Sequence, residues 1–244
     1  MVAYREGDWG RALEHWDRSV EAHLRAGASF GVAGSRMNIA EIRSDQGNWA
    51  TSLDVMANVR NTFRAGNYRI GVAFVTSLIG RTSARLGDHA VALVELADAE
   101  EVFREVGAGD MADEALLRRA EAAWLSGDAG TLTSTVDGVV DEPSHLRASL
   151  AMLRWAAATL DGNGAGDAEL VRAAEMASED KRWYDYLLAH VLRTRARGAD
   201  PAKDVDVRAL ALRLGVWRVA TGDGEVRLGP PPVEDVDQSV DQRL

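Results

Sequence analysis

Four short segments, Gly7-Asp8-Trp9, Gly47-Asn48-Trp49, Gly87-Asp88-His89 and Gly127-Asp128-Ala129, begin at intervals of 40 residues. A register held this long means that one supersecondary unit is used repeatedly, with each copy stacked on the next. Other columns obey it. Leu13, Leu53 and Leu93 follow the glycine by six residues, and Trp16, Met56 and Leu96 follow it by nine. A second break recurs within each unit. Leu24-Arg25-Ala26-Gly27 corresponds to Phe63-Arg64-Ala65-Gly66 and, with one residue more, to Phe103-Arg104-Glu105-Val106-Gly107. Two glycine breaks per unit predict two helices per unit.

Glycine can adopt the left-handed conformation that closes a helix, and the Asp or Asn after it can cap the free N–H groups of the next one. On this reading one helix ends at Gly47 and another starts at Asn48. Trp49, Leu53, Met56 and Phe63 then fall near a 3.6-residue period, as do Trp9, Leu13, Trp16, Val20 and Leu24 one unit earlier. In the preceding helices Ala40, Gly80 and Ala120 stand seven residues before the repeat glycines, where small side chains let helix axes approach.

Composition agrees with long helices. The first 142 residues contain no proline, and the five prolines are Pro143, Pro201, Pro230, Pro231 and Pro232. Aromatic content is 6%, and no sustained alternation of apolar and polar residues marks a strand. The absence of cysteine excludes disulfides, a cysteine nucleophile and thiolate metal sites. A net charge of -10 opposes binding to a phosphate backbone. No apolar run is long enough to span a bilayer and no leader-like segment opens the chain, so a soluble, cytoplasmic protein is expected. Lysine occurs only at Lys181 and Lys203.

The turn of Gly with Asp or Asn and an aromatic, followed by Ala12 to Trp16 or Ala92 to Leu96, resembles the tetratricopeptide repeat with its Ala-x3-Phe second helix. The chain departs from that pattern in its 40-residue period, in lacking the proline that closes the second helix, and in carrying Arg43 or Ser83 where the first helix has tyrosine. HEAT and armadillo repeats share the longer period but do not predict the Gly-Asp-aromatic turn. The expected fold is therefore all-α, a tetratricopeptide-like helical-repeat solenoid over residues 1–219, clear to about residue 140 and degenerate after it. The last helix is expected within 204–219, with Leu210, Leu212, Leu214 and Trp217 in contact. Residues 220–244, rich in Gly, Pro and acid, are expected to be a disordered tail.

The segments 4–9, 18–27 and 38–47 further resemble the C-terminal tetratricopeptide region of actinobacterial signalling proteins that carry a class III adenylate/guanylate cyclase domain and an AAA-type ATPase module. The resemblance covers residues 4–107 most clearly and implies a region that senses or recruits partners. Nothing catalytic carries over. Neither Lys181 nor Lys203 lies in a P-loop, and no paired-aspartate metal site in a strand setting is present. Five histidines show no metal spacing, and paired acids such as Glu100-Glu101 read as solvated charge. The chain is accordingly expected to be no enzyme, with no cofactor or metal.

The expected site is the concave face formed by the first helices of successive units, the usual place for peptide binding in such repeats. By register, Met37, Glu41, Ser44, Asp45, Ser77, Arg81, Arg85, Leu117, Glu121 and Trp124 line or border it. Repeats that grip a C-terminal carboxylate use Lys and Asn there, whereas this chain has Met37 and Glu41. A protein or peptide is the expected partner, with neither nucleic acid nor membrane; the alternative is a ligand-sensing effector module of a helical-repeat transcriptional regulator. Only residues 1–6 precede the first repeat glycine, which leaves Trp9, Trp16 and Val20 without most of a covering helix. An exposed apolar face is predicted there, covered by an upstream segment, by self-association or by a partner.

Overall fold

The computed structural model describes residues 2–139, 146–162 and 166–230. The fold is all-α. A short helix α1 (Val2–Arg5) is followed by α2 (Trp9–Arg25), α3 (Ser29–Asp45), α4 (Trp49–Ala65), α5 (Arg69–Leu86), α6 (His89–Glu105), α7 (Gly109–Ser126) and α8 (Ala129–Asp137). Then come α9 (Arg147–Leu160), α10 (Asp167–Glu179), α11 (Trp183–Ala196), a 3-10 turn (Pro201–Lys203) and α12 (Val205–Leu214). Each helix packs chiefly on its neighbours in sequence. Contacts of α3 with α5, α5 with α7, α7 with α9 and α9 with α11 make these five helices one continuous inner row. No helix among the described residues is long and apolar enough to cross a membrane.

The turns follow the repeat. Gly7, Gly47, Gly87 and Gly127 have φ of 73°, 103°, 101° and 75°, a region that side chains with a Cβ rarely adopt. After them, Asp8 and Asp128 accept from the N–H groups of Arg11 and Thr131 as caps. Asn48 and Asp88 make no side-chain cap, so there the helix start relies on its packing, with Trp49 only 3% exposed. At the second break Gly66 departs from its counterparts. Its φ is ordinary, and the left-handed residue is Asn67 at 54°. A Cβ on Gly66 would stand 1.9 Å from Cζ of Phe30, so the half-exposed ring would have to move to admit any larger residue.

The C-terminal part corrects the expected tail. Residues 220–230 are ordered: strands β1 (Arg218–Thr221) and β2 (Gly224–Arg227) pair antiparallel, with Val219 opposite Val226. Val219 is fully buried, and Val226 and Leu228 are nearly so. The turn is tied by Thr221 Oγ1, which donates to Asp223 Oδ1 at 2.8 Å. Residues 231–244, the rest of the expected tail, lie outside the described residues. The last helix also stops earlier than expected, at Leu214, because Gly215 turns left-handed with φ of 69°. Leu212 is 85% exposed and not in the core, whereas Leu214 is buried.

This C-terminal element covers the N-terminal repeat. Trp9 is 1% exposed and shares one core with Leu214, Val216, Val219 and Val226, so the predicted open apolar face is closed around Trp9 and Leu13 by the chain itself. Backbone polar groups seal the join. Gln46 Nε2 donates to the Leu214 carbonyl at 2.9 Å, Trp217 N–H donates to the Gln46 carbonyl at 3.1 Å, and Arg218 Nε donates to the Gly47 carbonyl at 2.8 Å. The Arg218 guanidinium also lies between rings, 3.9 Å from the centroid of Trp49 and 4.3 Å from that of Trp217. Farther along, Trp183 Nε1 donates to the Arg5 carbonyl and Arg213 Nη2 to that of Glu6. Away from this join Leu24 stays 56% exposed and Val20 half-buried.

Candidate functional site

The inner row is charged, and its charges stack by repeat. Asp45 on α3 and Arg85 on α5 are 40 residues apart, as are Arg81 on α5 and Glu121 on α7, so each pair occupies equivalent positions in adjacent units. Arg85 Nη1 donates to Asp45 at 2.6 Å, Arg81 Nε to Glu121 at 2.9 Å, and Arg85 Nε to the other Glu121 oxygen at 3.2 Å. Arg81 also stands 3.6 Å from Asp45. Tyr184, on α11, closes over this network with its ring centroid 4.3 Å from the Arg85 guanidinium. Nearby, Arg118 Nη1 donates to Ser77 Oγ at 2.8 Å and Nη2 to Glu114 at 3.0 Å. Ser44 and Thr82 hydroxyls are hydrogen-bonded at 2.9 Å.

Electrostatics follow from that burial. Burial pushes the Glu121 carboxyl up, but Arg81 and Arg85 outweigh it and leave the pKa below its ordinary value. Asp185 behaves alike: burial raises it, and Arg182, Arg81 and hydrogen bonds from Arg182 and Ser149 bring it below the usual range. For Glu41 burial prevails over Arg118, and its pKa is raised. The signs differ in consequence. Depressed groups contribute stability above the unfolded-state pKa of about 4, and that contribution is lost as pH falls through their folded pKa. Glu41 costs stability when ionised and ceases to do so as pH falls through its raised pKa. Denaturation from pH 7 to pH 3 is therefore expected to show a mild-acid plateau followed by a steep loss. In Glu121→Gln that acid limb becomes shallower on a lower baseline; an unchanged limb would mean that Glu121 is not the group titrating.

Where the row meets the start of α11, a cleft of about 590 Å³ opens. Tyr4 and Arg5 of α1, Glu41 and Asp45 of α3, Arg81 of α5, and Glu114 and Arg118 of α7 form one side. Arg147, the turn from Asp180 to Arg182, and Trp183 to Asp185 at the start of α11 form the other. A narrower apolar slot, lined by Leu117, Trp124, Leu146, Met152, Leu153 and Leu188, shares Arg81, Glu114, Arg118, Arg182 and Asp185 with it.

The residues placed on the concave face by register divide into groups. Glu41, Asp45 and Arg81 line the cleft; Leu117, Glu121 and Trp124 line the apolar slot. Ser44, Ser77 and Arg85 are buried in the side-chain bonds between helices, with Arg85 1% exposed at its side chain, so none of them is open to a ligand. Met37 packs with the core between α3, α4 and α5. Register missed the far wall, Arg147 and 180–185, because that wall comes from the degenerate part of the chain. It also missed that Tyr184 of α11 closes over Arg81 and Arg85 in the inner row.

No group of three or more His, Asp or Glu side chains suited to hold a metal occurs among the described residues. No family model matches the chain, and no curated protein matches it.

Proposed function

We propose that this chain is a noncatalytic helical-repeat module that recruits a protein partner by holding a short segment of it in the cleft between α1, the inner row and the start of α11. The observation that carries this reading is the cleft itself, which is lined by fourteen residues, all of them charged or aromatic and eleven of them on helices. The groups are held in position by buried ion pairs, the preorganisation that lowers the ordering cost of binding. Much of the inner row is occupied by its own salt bridges, so the bound segment is a few residues long and not an extended peptide running along every repeat. The resemblance over residues 4–107 supports a cytoplasmic module of a cyclase/ATPase signalling protein. The size of the cleft, about 590 Å³, also suits a small molecule, which favours the ligand-sensing effector of a transcriptional regulator as second reading.

A selection from displayed random peptides tests the proposal. Enriched peptides are expected to compete with one another and to lose binding in Glu41→Trp, which fills the cleft without breaking a hydrogen bond. Peptides that bind Glu41→Trp undiminished would place recognition elsewhere and sink the cleft reading.

A further inference from the structure

The carboxylates of the cleft are not equally occupied. Asp45 is held by Arg85 at 2.6 Å, Asp180 by Arg147 at 2.9 Å, Asp185 by Arg182 at 2.6 Å and Glu114 by Arg118 at 3.0 Å. Glu41 stands 3.7 Å from Arg118, beyond hydrogen-bond range, although its side chain is only 24% exposed. The other wall carboxylates are met within the protein, whereas Glu41 accepts no hydrogen bond from the described residues. What it lacks is a donor, and the open side of Glu41 is the cleft.

The cations show the converse pattern. Arg81, Arg118, Arg147 and Arg182 are engaged by the acids of the walls, whereas the exposed Arg5 and Lys181 at the rim have no ion pair among the described residues. Lys181 is held at φ of 57°, a positive φ that ten glycines and Asn67 otherwise take among the described residues. A lysine is strained there, and glycine would relieve it.

Resting on the reading of the cleft as a binding site, we propose that it takes a peptide segment in which a Lys or Arg side chain has an acidic neighbour: Glu41 receives the cation inside the cleft, and Lys181 with Arg5 receives the carboxylate at the rim. Unlike charges at two depths reject a ligand of one sign, because a purely acidic segment leaves Glu41 unmet and a purely basic one faces the rim cations. The charge pattern is thus a specificity device as well as a source of affinity.

Peptides enriched on the wild-type chain are expected to carry Lys or Arg within about three residues of Asp or Glu, a span of about 10 Å in extended chain. By fluorescence anisotropy, Glu41→Gln should weaken the selected peptide about ten- to hundredfold, the effect of losing one charge-assisted hydrogen bond. Changing the peptide's basic residue to Gln should cost wild type the same factor and cost Glu41→Gln nothing, a comparison that does not depend on the variant's stability. Lys181→Gly should erase the preference for Asp or Glu over Asn while raising the melting temperature. Peptides that lack a basic residue, or that keep their affinity in Glu41→Gln, would overturn the inference; if Glu41→Trp still abolishes their binding, the cleft reading stands without it. Saturable binding of free L-arginine with no peptide enriched would overturn the peptide source, and no binding of either probe would overturn both readings.

Discussion

Asp45→Ala is expected to lower the unfolding free energy by about 3–5 kcal/mol, the range found when one member of a buried ion pair is removed. The reason lies in what is left behind. Arg85 is 1% exposed at its side chain, its Nη2 already has no hydrogen-bond partner, and Asp45 supplies the 2.6 Å contact to its Nη1. Without Asp45 the guanidinium keeps one 3.2 Å bond to Glu121 and the face of Tyr184. In a chain of this size that loss corresponds to a fall in melting temperature of roughly 6–20 °C. Two comparisons isolate burial as the cause. Arg60 and Glu95 make as short a contact, 2.7 Å, yet both are about one-fifth exposed, and Glu95→Ala should cost about 1 kcal/mol. Glu21→Ala, at an exposed pair with Arg25, should cost nothing measurable. The further variant Asp45→Leu with Arg85→Met removes both charges and should recover most of the loss. Urea denaturation of the series decides it: an Asp45→Ala cost near that of Glu95→Ala would mean that the network is wet and not structural.

That network was legible in the sequence in part. Glu41, Arg81 and Glu121 recur at 40-residue spacing, so opposite charges alternate down one column of the repeat, and Asp45 over Arg85 forms a second column. Once the register is known, stacking brings such positions together, because neighbouring copies of a repeat contact each other through equivalent helices. The helices themselves were legible for the same reason, as were their turns at Gly7, Gly47, Gly87 and Gly127.

Register says nothing about contacts that cross the whole chain. Gln46 to Leu214 and Arg213 to Glu6 join residues 168 and 207 positions apart, and no periodicity relates them. The hairpin was hidden by its size: two strands of four residues carry too few alternations to outweigh Gly222, Gly224 and the prolines beside them. Gly66 misled in another way, since it occupies the column where Gly27 and Gly107 turn left-handed, whereas here that conformation falls one residue later, on Asn67.

Those long-range contacts make a second large effect testable. Val219→Asp is expected to unfasten the C-terminal element and, with it, the first repeat. Val219 is fully buried in β1, in one core with Trp9, Leu13, Leu214 and Val216, and an aspartate there has no cation to meet it. Burying an unpaired charge costs several kcal/mol, more than a short hairpin can supply, so the hairpin must leave. Its departure takes Arg218 from the Gly47 carbonyl and the Trp49 ring, pulls Trp217 from the Gln46 carbonyl, and loosens the core that Trp9 shares with Leu214 and Val216. Hydrogen exchange should therefore accelerate in α1, in α2 and around Gly47, some 170 positions from the substitution, while the centres of α5, α6 and α7 keep most of their protection. Leu212→Asp is the control, because Leu212 is 85% exposed on the neighbouring helix and should change neither region. If Val219→Asp speeds exchange in the hairpin alone and leaves α2 as protected as before, the first repeat does not depend on the C-terminal element for its cover. If both ends open together, the cleft wall at Lys181 and the cleft wall at Tyr4 are held in place by the same join, through Trp183 on Arg5 and Arg213 on Glu6, and the cleft is a consequence of closing the chain on itself.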